Sequence, residues 1–247
     1  MMGLRQQCGL MGLCGSVSCA PPLEPVDVTG RLLDEASEDG GAVPNGEVWT
    51  RDSNGSCFDE TVTDDDGQFS VQAPANDYFF IMFHGDGFAS TSFTGFSGTD
   101  TIDVDDGTLW AMSAQNRSGL FDEFANCAAL EDIEDQSGGI LEGEVRLYFQ
   151  INDPDDLPFL TTATVTAFDS DDVELETCYL DDEGISDADA FETGETGRFA
   201  VFGMKQGGYT VQVTYDAGTG SEPVSTYIIW MPENGVVPLE PAYVELD

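Results

Sequence analysis

The feature that most restricts this chain is a recurrence. Short runs of β-branched and aromatic residues are broken by turn chemistry roughly every 8–12 positions, and the scheme is set out twice in the same order. In the first half, "VDVTGRLL", "GEVWTRD", "SCFDETVT", "GQFSVQA" and "DYFFIMFH" are strand-like runs. Asn54-Gly55 separates the second from the third, and that dipeptide predicts a two-residue type I′ hairpin, because both positions take positive φ. In the second half, "GEVRLYFQI" alternates with period two. Val145, Leu147, Phe149 and Ile151 fall on one face, and Glu144, Arg146, Tyr148 and Gln150 on the other. Gly30, Val48, Cys57, Gly67, Phe69 and Tyr78 find counterparts in Gly143, Val165, Cys178, Gly197, Phe199 and Tyr209. The second copy carries an acidic insertion, "DDEGISDADAFETGET". Two copies of one all-β, antiparallel sandwich follow, over residues 25–113 and 140–247.

Residues 114–139 break the strand pattern. Leu120, Phe124 and Cys127 share a helical face, Ser118 is a candidate N-cap, and Asp122 and Glu123 suit a first turn. Ser137, Gly138 and Gly139 close the segment. The expectation is a short helical linker packed on one or both sandwiches.

Residues 1–19 have another character. One cation, Arg5, precedes a small and apolar run, and Pro21 and Pro22 follow a small-residue site. The run is far shorter than the ~20 apolar residues that a spanning helix needs. The stretch "SVSC" resembles the lipobox of a bacterial lipoprotein signal, with Cys19 as the lipidated residue and Ser16 where that family prefers leucine. The resemblance implies a membrane anchor in the cell envelope. Ala20 in place of aspartate after the cysteine points to the outer membrane, with periplasmic or secreted release as the alternative. Export permits disulfides. Cys57, Cys127 and Cys178 then remain, with no CxxC or Cys/His spacing for structural zinc. Cys127 is expected to bridge Cys57 or Cys178, with Cys57 preferred because it lies on the sandwich that the helix leaves.

The segments "VTGRLLDE", "AVPNGEVW", "VTDDDGQFSV" and "APANDYFFIMF" together resemble the carboxypeptidase regulatory-like domain, a transthyretin-like sandwich. The second half resembles it through "LEGEVRLYF", "ATVTAFD", "ETGRFAV" and "GGYTVQV". The resemblance implies two tandem transthyretin-like/Ig-like sandwiches. It implies no peptidase, since in those enzymes this domain is an appendage.

Acidic turns raise the question of metal. "DDDG" fails the EF-hand pattern, because Val62 stands at its first position. Asp64, Asp66, Asp153, Asp155, Asp169 and Asp171 remain candidate ligands for weakly held Ca²⁺, against a reading as solvated turns. The single histidine, His84, has no second histidine to share zinc, and no GxSxG elbow is present. These residues predict no enzyme and no obligatory cofactor. The function expected is a structural, adhesive or protein-binding surface module, with a calcium- or carbohydrate-binding module as the alternative. In the latter, Trp49, Trp110 and Trp230 would be stacking platforms.

Seven basic residues against 48 acidic ones give a formal charge of −41. That field repels nucleic acid and anionic headgroups and favours cations and basic partners. It also opposes compactness through self-repulsion, which salt screens. Raising NaCl from about 0.05 M to about 1 M is therefore expected to raise the thermal midpoint by about 5 °C. A midpoint that falls or stays constant in differential scanning calorimetry would contradict this.

Overall fold

The computed structural model describes residues 25–36, 40–131, 133–148, 157–215 and 224–245. Cys19 with residues 1–19, and Asp153 and Asp155, lie outside the described residues. The first eight strands are β1 (Val26–Asp34), β2 (Gly41–Ala42), β3 (Glu47–Asp52), β4 (Cys57–Val62), β5 (Gln68–Ala73), β6 (Tyr78–His84), β7 (Thr91–Phe96) and β8 (Ile102–Ala111). In one layer β1 pairs with β2 and β5, and β8 joins β1 in parallel. The facing layer runs β4-β3-β6-β7, all antiparallel. Alternation sends Val28, Leu32, Val48, Phe69, Val71, Phe79, Ile81 and Phe83 into the core between the layers. Each such side chain contributes about 1.5–3 kcal/mol by leaving water.

A helix, α1 (Ala114–Glu123), leads to β9 (Gly139–Tyr148), β10 (Ala163–Phe168), β11 (Glu174–Leu175), β12 (Thr177–Leu180), β13 (Ser186–Asp187), β14 (Arg198–Met204), β15 (Gly207–Tyr215), β16 (Val224–Met231) and β17 (Val236–Glu245). The layers of the second sandwich are β11-β10-β15-β16 and β13-β12-β14-β9-β17. Val145, Val165, Phe199, Tyr209, Val211, Val213 and Ile229 fill its core. Among the described residues the chain is all-β, with one short α-helix and two single-turn 3-10 helices between two sandwiches.

The duplication holds at the level of single hydrogen bonds. Gly67 O accepts from Leu32 N at 2.9 Å, and Gly197 O accepts from Val145 N at 2.9 Å. Thr63 Oγ1 accepts from Gly46 N and donates to Val43 O, at 2.8 and 2.7 Å. Thr193 Oγ1 does the same with Ala163 N and Leu160 O, at 3.0 and 2.6 Å. Gly30 lies opposite Phe69 and Gly143 opposite Phe199. A Cβ at Gly30 would approach the Phe69 ring to 2.8 Å, so a glycine is required where that ring crosses the strand.

Two of the expected counterparts do not hold. Val48 pairs with Phe83, and its equivalent Val165 pairs with Val213. Counting back four residues aligns Tyr209 with Phe79, not with Tyr78. Tyr209 is 7% exposed and Tyr78 is 45% exposed. Cys57 faces Arg51, and the matching partner of Phe168 is Glu174, not Cys178. Cys178 belongs to β12, which has left the β10 layer and pairs with β14 opposite Ala200. A phenol occupies the vacated edge. Tyr179 Oη accepts from Val165 N at 2.8 Å and donates to Val165 O at 3.0 Å. Thr177 Oγ1 also donates to Val165 O, at 2.8 Å. In the first copy Val48 instead pairs with Thr61 of β4. Burial pushes the Tyr179 phenol up to about 12, so it stays a donor at any ordinary pH.

The two sandwiches share one sheet. The β7 edge of the first meets β17 of the second in parallel, with Thr91 beside Val236, and Val236 N donates to Ser90 O at 2.7 Å. Nine strands thus run without interruption from β13 to β4. Beside this seam, Trp230 lies on the outer face of the first sandwich. Its ring is 5.9 Å from Phe80 and 5.3 Å from the Arg51 guanidinium. Any Cβ at Gly55, whose φ is 78°, would collide with the indole. Thr94 Oγ1 donates to Ile228 O at 2.7 Å. Covering both faces explains why five consecutive residues of β6, Phe79–Phe83, are buried.

The helix begins earlier than its composition suggests. Ser113 is the N-cap, its hydroxyl accepting from Asn116 N at 3.0 Å. Ser118 is therefore mid-helix, Asp122 and Glu123 sit in the last turn, and Cys127 lies beyond the end. Phe121 and Phe124 pack on Phe202 of β14, at ring separations of 5.0 and 5.7 Å. Arg198 bridges Glu123 and Glu142 at 3.1 and 3.2 Å. Arg117 donates to Gln136 O at 3.1 Å and Gly138 O at 2.6 Å. Cys127 forms a disulfide with Cys178, not with Cys57, with Cα atoms 5.6 Å apart. The turn after α1 carries the chain onto the second sandwich, where β12 presents a buried thiol; Cys57 is exposed on the far edge strand β4. Among the described residues no helix is long and apolar enough to cross a membrane.

Closing a loop with a sequence separation of 51 residues restricts the unfolded chain, an effect of about 2–4 kcal/mol. Urea unfolding of the reduced protein, or of a Cys127→Ser/Cys178→Ser double variant, is expected to show that loss. A midpoint equal to that of the oxidised protein would contradict it.

Candidate functional site

Four acidic turns are built alike. In each, the aspartate Oδ1 accepts from the N–H two and four residues on. Asp52 takes Asn54 and Ser56 at 3.0 and 2.9 Å. Asp64 takes Asp66 and Gln68, both at 2.9 Å. Asp169 takes Asp171 and Val173, both at 2.9 Å. Asp181 takes Glu183 and Ile185, both at 2.9 Å. The residue three on donates to the aspartate carbonyl and has positive φ: Gly55 at 78°, Gly67 at 76°, Asp172 at 59° and Gly184 at 75°. This is a type I turn followed by a left-handed residue in a bulge. It replaces the type I′ turn expected at Asn54-Gly55, where only the glycine has positive φ. The cause is Asp52, whose carboxylate organises the loop from one residue further back than the dipeptide suggests.

The chemistry of the candidate calcium residues follows. Asp64 and Asp169 spend one carboxylate oxygen on two backbone N–H groups. Asp66 and Asp171 lend these turns their backbone N–H. Among the described residues no three His, Cys, Asp or Glu side chains converge to hold a metal ion. The pattern D-x-x-G before a resuming strand was the available signal for this turn, and it recurs at Asp52, Asp64 and Asp181.

His84 lines a cleft of about 640 Å³ with Asp34, Glu47, Asp86 and Phe88. Its Nδ1 is 3.0 Å from Ser90 Oγ. Activating that hydroxyl would take a carboxylate on the other ring nitrogen. No such hydrogen bond is formed among the described residues, and the histidine is exposed. The three tryptophans occupy separate places. Trp230 is wedged at the seam, Trp49 is half-buried opposite Met82, and Trp110 lies on β8 in the other layer.

Sequence reasoning missed a second cleft, of about 690 Å³, where the helix meets both sandwiches. Glu35, Asn116, Asp122, Glu123, Glu142, Glu144 and Arg198 line it. One guanidinium there faces five carboxylates. Desolvation raises the Glu35 carboxyl above its ordinary value, a hydrogen bond from Asn116 opposes this, and nearby Asp34 adds to it. The folded state thus holds this proton to higher pH than the unfolded chain, so Glu35 withdraws stability as pH rises through the raised value. With one guanidinium among five carboxylates, the cleft attracts cationic groups.

No protein-family model and no curated protein matches the chain. Several solved structures are similar at low level. The Bacillus anthracis TIE protein is 15% identical, with a TM-score of 0.31 over 90% of this chain and 34% of that one. This chain therefore spans about a third of that protein. GBS52, the minor pilin of Streptococcus agalactiae, is 11% identical at a TM-score of 0.28, covering 90% of this chain and 96% of that one. The shaft pilin SpaA from Lactobacillus rhamnosus GG is 10% identical at 0.29, covering 91% and 98%.

Replacing Asp64 by alanine leaves two turn N–H groups without their acceptor and is expected to cost about 1 kcal/mol. The same variant is expected to respond to calcium as the parent does once ionic strength is matched. Parallel thermal melts with CaCl₂ and NaCl check both; a calcium shift lost only in Asp64→Ala would make the turn a metal site.

Proposed function

We propose that this chain is a non-enzymatic structural module of the cell envelope. Two carboxypeptidase-regulatory-like sandwiches are held as one body and offer loops and sheet edges to a protein partner. The proposal includes an anchor, through lipid on Cys19. The observation that carries the reading is the seam. A sheet shared across both sandwiches, an indole pressed on Gly55 and a helix clamped by a disulfide and by Arg198 together suppress hinge motion. Enzymes that close over substrate need such motion, whereas a spacer or display scaffold needs its absence. The acidic coat and the carboxylate-lined junction cleft favour a partner with a basic surface.

Three measurements test this. Spin labels at Asp66 and Asp171, one on each sandwich, are expected to give a single narrow distance distribution in pulsed dipolar spectroscopy. A broad or bimodal one would defeat the rigid-body reading. Palmitate labelling of the exported protein is expected to vanish in Cys19→Ala. Cross-linking on intact envelopes is expected to capture a protein with a basic contact surface, weakening as salt rises.

A further inference from the structure

The direction of the strands that open and close each sandwich has a mechanical meaning. We infer that the pair of sandwiches is a load-bearing unit in which tension along the chain is resisted in shear by two parallel strand ladders, with the disulfide setting how far it can extend. The inference rests on the structural-module reading for its setting, and on the topology alone for its physics.

In the first sandwich, β1 and β8 run parallel from Val28 beside Ile102 to Asp34 beside Ala111. The chain arrives at the Val26 end and leaves at the Ala111 end, the opposite end of the same ladder. Tension therefore drags the two strands past each other along their length, and the ladder's hydrogen bonds are loaded together. Were the outer strands antiparallel, arrival and departure would share one end, and the bonds would open one at a time. The second sandwich repeats the arrangement. β9 and β17 are parallel from Ile140 beside Val236 to Tyr148 beside Glu245. Each ladder also carries a register shift, between Gly30 and Leu32 in β1 and between Leu239 and Ala242 in β17.

The disulfide reroutes this load. Tension reaching Cys127 passes through sulfur to Cys178, so the backbone of β9, β10 and β11 sits inside a covalent loop and is not pulled end to end, while β9 still passes shear from β14 to β17 through its ladders. Force then comes in at β12 and goes out at the end of β17. β12 is antiparallel to β14, β14 is antiparallel to β9, and β9 is parallel to β17. β12 therefore points the same way as β17, and the load still acts along the strands. The sequence separation of 51 residues withholds up to about 170 Å of contour, at about 3.3–3.6 Å per extended residue.

Single-molecule force spectroscopy on the oxidised protein tests this, with handles before Val26 and after Glu245. A control in a Cys57→Ser background carries handles at Asp77 and Gly98, at the open end of the β6–β7 hairpin, where pulling unzips. The expected end-to-end rupture force is at least about threefold the unzipping force, since bonds loaded together must fail together. Reductant is expected to lengthen the second sandwich's unfolding step by about 170 Å, leaving the first sandwich's step unchanged as an internal control for folding. An end-to-end force no greater than the hairpin's, or no lengthening on reduction, would overturn the inference. Either result would leave the rigid-body distances and the palmitate labelling standing, and failure of those would leave the force ratio intact.

Discussion

A glycine opposite an indole holds this architecture together. Gly55 leaves room for Trp230 to lie against the first sandwich, where Phe80 and Arg51 flank it. The contact turns the outer face of β6 into a second core surface, which is why a strand with one solvated side in an ordinary sandwich is buried on both here. The shared sheet lies directly beside it. A single parallel pair, Thr91 with Val236, would be a weak bond between two modules. The indole packs beside this pair, and the helix, tied to the second sandwich through Cys127–Cys178, adds buried contacts between the two modules.

The general architecture was legible because its signals are local. Period-two alternation in "GEVRLYFQI" and the repeated glycine-x-phenylalanine step fixed strand identity and the duplication, and Gly30–Phe69 and Gly143–Phe199 occupy the same place in each copy. The errors arose where an element's neighbours decide its fate. Cys57 and Cys178 match as letters, yet β12 changes layers after Leu175, so Cys178 is buried beside β14 while Cys57 stays on the exposed edge strand β4. The helix cap was misplaced because Ser113 and Ser118 look alike in composition, and packing of Phe121 and Phe124 on Phe202 sets the phase. The acidic junction cleft could not be read at all, since Glu35, Glu123 and Glu142 come together only through tertiary contact.

The basic residues show how an acidic chain spends its few cations. Arg31 donates to Asp66 O, Arg146 bridges Glu144 and Leu157 O, Arg117 ties the helix to Gly138, and Arg198 joins helix to sheet. Arg51 stacks on the wedged indole. A guanidinium suits these posts, since it can bond several acceptors while lying on an aromatic face. The surface is left overwhelmingly negative, and the positive charge works at joints.

The Tyr179 hydroxyl has a wider implication. By answering both the donor and the acceptor of Val165, one phenol takes the place on β10 that Thr61 of β4 holds beside Val48 of β3. Twin modules can thus diverge without leaving raw backbone exposed: a side chain stands in, and the liberated segment is recruited elsewhere, here to carry the sulfur that ties the linker to the second sandwich. Asymmetry between duplicated halves can begin with a single oxygen atom.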